Sequence, residues 1–160
     1  MTNTEKMLNL LAHIVVADDD GPDRNTAICE LKSMLNEQKD KRIQDDISHE
    51  INQLLLEMGM PCHLMGYEAV KRAIALCVKN PPIRYYITEV YKLVADEMGD
   101  GATRSRVERA MRHAIATAWE RGDPDVLFKH FGSTIPYDKD KPTNAEFICT
   151  MAQEIQHRMN

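Results

Sequence analysis

The sequence predicts an all-α protein: a compact multi-helix bundle containing a helix-turn-helix, preceded by a short N-terminal helical extension. Three observations carry this. Apolar residues recur at helical spacing through nearly every segment, and no run alternates as a half-buried strand would. Gly and Pro fall between the apolar stripes, where helices stop. Residues 104–112 place four arginines on about two and a half helical turns of a chain whose net charge is −5.

The elements follow in order. Met7, Leu10, Leu11, Ile14 and Val15 share one face of a first helix, which the stretch DDDGPD ends. Pro22 suits a first helical position capped from Asp20 or Gly21, and Ile28, Leu31 and Leu35 mark a second helix. After the polar NEQKDK, a third stripe runs Ile43, Ile47, Ile51, Leu54, Leu55, Met58, stopped by Gly59 and Pro61. A helix near 66–78 ends at Asn80-Pro81-Pro82, and another covers 84–98. Gly99 to Gly101 make a turn into the arginine helix, 104–120. After Gly122 to Pro124 comes a short helix at 126–131, then a last one from Asn144, read as its N-cap, to about His157.

Bulk properties bound the function. With 43% hydrophobic and 28% charged residues, the 160-residue chain is that of an ordinary globular protein. No stretch approaches the roughly 18 apolar residues of a membrane span. The N-terminus carries Glu5 and Lys6 and lacks a small-residue cleavage site, so no signal peptide is read and a cytoplasmic location is expected. Cys29, Cys62, Cys77 and Cys149 are scattered singly and read as buried free thiols. No nucleophile–base spacing, Gly-rich phosphate loop or metal-ligand cluster appears, so neither an enzyme nor a cofactor or metal site is expected.

Charge is uneven. Residues 1–50 hold 11 acidic and 6 basic residues, whereas residues 51–160 hold 14 of each. The chain thus divides into an acidic helical extension, 1–45, and a domain, 46–160, with a local basic concentration. In the segment TRSRVERAMRHAIATAW, Val107, Ala110, Met111, Ala114, Ile115 and Ala118 form an apolar side, with Trp119 at its margin. Ser105, Arg106, Arg109, Arg112 and His113 lie opposite. A solvated face braced by Arg104–Glu108 and Glu108–Arg112 pairs is the ordinary account. The preceding helix and the MGDGAT turn favour a second one, in which arginine forks read guanine edges and bind phosphate.

Three blocks in order sharpen this. SRVERAMRHAIATAWERG (105–122), GMPCHLMGYEAVKRAIAL (59–76) and KPTNAEFI (141–148) resemble the C-terminal effector domains of stage zero sporulation protein A, sporulation master regulators of endospore-forming Firmicutes. The similarity runs from about Ile47 to His157. It implies an all-helical DNA-binding domain that recognises a short promoter box and activates or represses transcription. Arg106, Glu108, Arg109, Arg112 and His113 would face DNA, with Arg109 as principal guanine reader and Arg106 beside it. Arg104, Ser105 and Lys141 would touch phosphate, while His63 and Tyr67 are read as structural and Trp119 as core.

Family proteins begin with a receiver domain, for which the 46 residues before Ile47 leave no room. HIVVADDD resembles a receiver's first strand and acidic pair, but the helical stripe explains the same letters; a calcium loop fails on the spacing of Gly21 and Glu30. Double-stranded DNA is the expected partner, with RNA polymerase holoenzyme and a second copy as further candidates. The extension is expected to dimerise, to sense a partner, or to shield the arginine helix with its acidity. The competing reading is an antagonist that binds a full-length regulator or RNA polymerase instead of promoters.

Overall fold

The computed structural model describes residues 1–16, 22–132 and 141–160. Among them the helices are α1 (Asn3–Val16), α2 (Pro22–Glu57), α3 (Met65–Lys79), α4 (Ile87–Met98), α5 (Arg104–Arg121), α6 (Pro124–Phe131) and α7 (Asn144–Met159), with a 3-10 turn at Pro81–Tyr85. The fold is all-α. None of these helices is long and apolar enough to cross a membrane. Backbone contacts divide the chain into two compact units, Met1–Asp46 and Ile47–Asn160.

One expectation is corrected at the start. The second and third helices of the sequence reading are a single 36-residue helix, α2. Residues 36–41 (NEQKDK) interrupt the apolar stripe, but they include neither Gly nor Pro, and a polar stretch alone does not stop a helix. The expected cap from Asp20 or Gly21, and Asp18, Asp19 and Asp20 of the loop weighed for a metal, fall at 17–21, outside the described residues, while Asp23 and Glu30 lie in α2. His13–Val16 of HIVVADDD form the last turn of α1.

In the first unit, Met7, Leu10 and Ile14 are half-buried, and Ala27 and Met34 of α2 are buried. Lys6 pairs with Glu30 at 2.8 Å, and Gln38 donates to the Met7 sulfur at 3.4 Å. Nothing in α1 is fully buried.

The second unit has a true core. Its centre is α3, which packs against α4, α5 and α7 through Tyr67, Ala69, Val70, Ala73, Ile74 and Cys77. Ile51, Leu54 and Leu55 from the end of α2, Met58 just past it, Met111 and Ile115 from α5, and Phe147, Ile148 and Met151 from α7 complete it, all under 2% exposed. Burying each such side chain contributes roughly 1.5–3 kcal/mol. Phe131 stacks on Phe147 (5.4 Å between centroids, planes 20° apart) and meets the edge of Trp119 (5.4 Å, 77°). Trp119 is therefore at the core's margin, half-buried.

Polar groups finish the junctions. The Tyr67 hydroxyl donates to Asn52 Oδ1 at 3.0 Å, the structural role expected of it, whereas His63 is exposed. The N-cap of α7 is Thr143, not Asn144: its hydroxyl accepts from Glu146 N–H while the Glu146 carboxylate accepts from Thr143 N–H. That reciprocal box suits Thr followed three residues on by Glu. His130, whose side chain is 1% exposed, joins α6 to α7 by a 2.6 Å bond between Nδ1 and Glu154 Oε2. Glu57 of α2 lies 3.8 Å from its other ring nitrogen.

The thiols also depart from expectation. Cys77 is buried and Cys149 half-buried, but Cys29 and Cys62 are exposed. Burial pushes the Cys77 thiol up to about 11. Because thiolate is the nucleophile, Ellman's reagent at pH 8 is expected to react promptly with Cys29 and Cys62 and only on unfolding with Cys77. Burial also raises the Cys149 thiol and the Tyr67 and Tyr91 phenols. All four release protons more readily when unfolded, so they cost no stability below about pH 9 and lower it as pH rises through about 9–11, a decline readable in urea midpoints.

Candidate nucleic-acid interface

The candidate interface comprises α4, the turn after it, and α5. Val90, Tyr91, Val94 and Ala95 bury one face of α4, which ends at Gly99. Gly99, Asp100 and Gly101 all take positive φ (61°, 48° and 73°), and Ala102 N–H donates to the Gly99 carbonyl at 2.8 Å. Gly adopts this region freely and Asp tolerates it, so five residues, 99–103, suffice to reverse the chain. Thr103 then caps α5, its hydroxyl accepting from Arg106 N–H at 3.3 Å. Helix, tight turn and second helix packed on the first make the helix-turn-helix.

What fixes the angle of α5 is a close approach that the sequence reading did not single out. Gly66 of α3 lies against α5 so tightly that a Cβ there would stand 2.7 Å from Ala114 Cβ and nearer still to the Ala110 carbonyl. Gly59 is a second such place: a Cβ there would stand 2.9 Å from Gly122 Cα, just past the end of α5. Both glycines belong to the GMPCHLMGY block, so its spacing is largely a packing requirement of α5. The signal was in the sequence as two glycines seven apart, but what each touches comes from chain remote in sequence.

The exposed face of α5 can be ordered by angle. Val107, Met111, Ala114, Ile115 and Ala118 are the buried stripe. At 100° per residue, Arg109 points about 180° from its middle, with Ser105 and His113 about 40° and Arg106 and Arg112 about 60° to either side of Arg109. Arg104, Ser105, Arg106, Arg109, Arg112 and His113 are all exposed. The first turn carries no acid, so nothing offsets the positive end of the helix.

The cations differ in commitment. Arg112 Nη2 pairs with Glu108 Oε1 at 2.7 Å, one of the two pairs expected. Arg106 Nη1 donates to the Gly101 carbonyl at 3.2 Å, bracing the turn. Arg104 and Arg109 have no ion-pair or hydrogen-bond partner among the described residues, so the expected Arg104–Glu108 pair is not formed. Glu108 sits about 100° round from Arg109, half-buried.

Around Glu108 the structure gathers residues distant in sequence. Its backbone carbonyl accepts from the Asn144 side chain at 3.1 Å, which explains why Asn144 is 7% exposed. Tyr91, Arg112, Lys141, Pro142 and Thr143 line the same cleft. Lys141 is exposed there, on the flank of α5. The KPTN segment is thereby tied to α5. Among the described residues no group of three His, Cys, Asp or Glu could hold a metal ion.

A comparison with protein families accounts for these features together. The family model described as sporulation initiation factor Spo0A C terminal matches residues 51–155, about two thirds of the chain. The matched span holds the glycine block, the helix-turn-helix and the KPTN segment. Such domains bind DNA and regulate transcription at the onset of sporulation, and they are not enzymes. By this match the chain belongs to the Spo0A C-terminal family of DNA-binding effector domains.

Proposed function

We propose that the chain reads a short promoter box in duplex DNA through α5 laid in the major groove. The observation that carries this is the placement of Arg109, opposite the buried stripe and without a partner of its own among the described residues. A guanidinium so placed can bond guanine O6 and N7 together. Arg106 and His113 flank it, while Arg104 and Ser105 at the helix start, and Lys141 beside the cleft, serve phosphate. Glu108 orients Arg112 and so positions a side chain without taking a base of its own.

The test is a fluorescence anisotropy titration of the full chain against a duplex carrying the family-type box and a scrambled duplex, at two salt concentrations. Sequence reading is expected as a preference of roughly a hundredfold or more for the box. Equal, salt-sensitive binding to both duplexes would mean the arginines only attract phosphate. The antagonist reading, with a regulator or RNA polymerase as target, would then take its place.

A further inference from the structure

We infer that the first unit, residues 1–46, is a dimerisation module whose partner is the same unit of a second copy. The reason begins with what it leaves uncovered. One stripe of α1, Met7, Leu10 and Ile14, is half-buried. The neighbouring stripe is not: Leu8, Leu11, Val15 and Val16, with Leu35 and Ile43 of α2, are 41–82% exposed. Leu8, Leu11 and Val15 follow the i, i+3, i+7 spacing of a helix face made to be covered. Two helices in one layer cannot bury both sides of such apolar surface; a second layer must come from elsewhere.

Area and charge identify the second copy. Those six side chains offer on the order of 600 Å² of apolar surface. A standard interface buries about 800 Å² per partner, of which a little over half is apolar, so the patch is large enough. Along the helical residues 3–16 and 22–46 the sequence holds seven acids and six bases, so identical helices repel one another little. Most of the extension's surplus acids, Asp18, Asp19 and Asp20, lie between these stretches. Two hairpins paired on this surface make a four-helix bundle, the common way for such helices to close a core. The helices themselves, with one net negative charge, are poorly suited to the alternative of shielding the arginine face.

Dimerisation would place two effector units on one assembly, and this consequence rests on the DNA-binding reading. A duplex with two boxes would then be held by both units, the second binding being intramolecular.

Light scattering on the full chain is expected to give twice 18.3 kDa for wild type and 18.3 kDa for a Leu8→Glu/Leu35→Glu variant. Far-UV circular dichroism should be unchanged, since both positions are exposed. If that variant loses helix, Leu11→Lys/Val15→Lys asks the same question of the same surface. In anisotropy, wild type should prefer a two-box over a one-box duplex by roughly tenfold or more, and the variants should lose that gain only. A monomeric wild type, or helical variants that keep the dimer mass, would overturn the inference. A dimer that ignores the box would leave the module standing and remove the proposed function instead.

Discussion

Replacing Gly66 with alanine is expected to destabilise the effector unit by at least about 3 kcal/mol, near the upper end of overpacking costs. Its new methyl would stand 2.7 Å from Ala114 Cβ and 2.6 Å from the Ala110 carbonyl carbon. A flexible side chain could turn aside, but a helix backbone cannot, so α3 and α5 must separate and the surrounding core opens with them. For a unit of this size such a loss lowers Tm by roughly 10–20 °C. Gly66→Val should leave little folded protein. Gly99 supplies the control: a Cβ there meets nothing within 4 Å, so Gly99→Ala is opposed only by its φ of 61° and should cost about 1–2 kcal/mol. Thermal melts followed at 222 nm distinguish the two. Equal Tm losses at both sites would mean that α3 and α5 part easily, and that the close approach does not hold the recognition helix.

Arg109→Ala is expected to act in the opposite way, leaving the fold intact and removing sequence preference. Arg109 is exposed and has no intramolecular partner among the described residues, so its loss breaks nothing in the free protein. A bidentate guanine contact is worth roughly 1–3 kcal/mol of discrimination, so box affinity should fall roughly 5- to 150-fold towards that of scrambled DNA. Arg109→Lys should rescue little of it, because an ammonium keeps the charge but lacks the planar fork. Arg104→Ala should instead weaken both duplexes alike and lower the salt slope by about one. Parallel titrations of the three variants give the answer. Uniform weakening by Arg109→Ala, with preference retained, would move the reader's role to another residue of the face, Arg106 first.

Much of the fold was legible because helical periodicity is local. The buried faces of α3, α4, α5 and α7 are the stripes the sequence displays, and Gly and Pro mark most ends within a residue or two. The error over α2 had a local cause as well: a polar run resembles a linker when its neighbours are apolar stripes, although only Gly or Pro would have broken the helix. Asn144 was misread for a related reason. Asn and Thr both cap helices, and what decided between them was a bond from Asn144 to Glu108, thirty-six residues away.

The candidate interface divides along the same line. By itself the sequence determined the all-α class, the turn, the apolar and basic sides of α5, and the family whose blocks it carries, since each is a property of spacing within a segment. Only the folded structure decided which local pairs form: Arg112 is held by Glu108 and Arg106 by the turn, leaving Arg104 and Arg109 open among the described residues. The tertiary structure also decided which thiol is buried, that His130 binds Glu154, and why Gly66 must lack a side chain. The thiol, the histidine and the glycine depend on atoms brought together from segments remote in sequence, and periodicity carries no information about that distance.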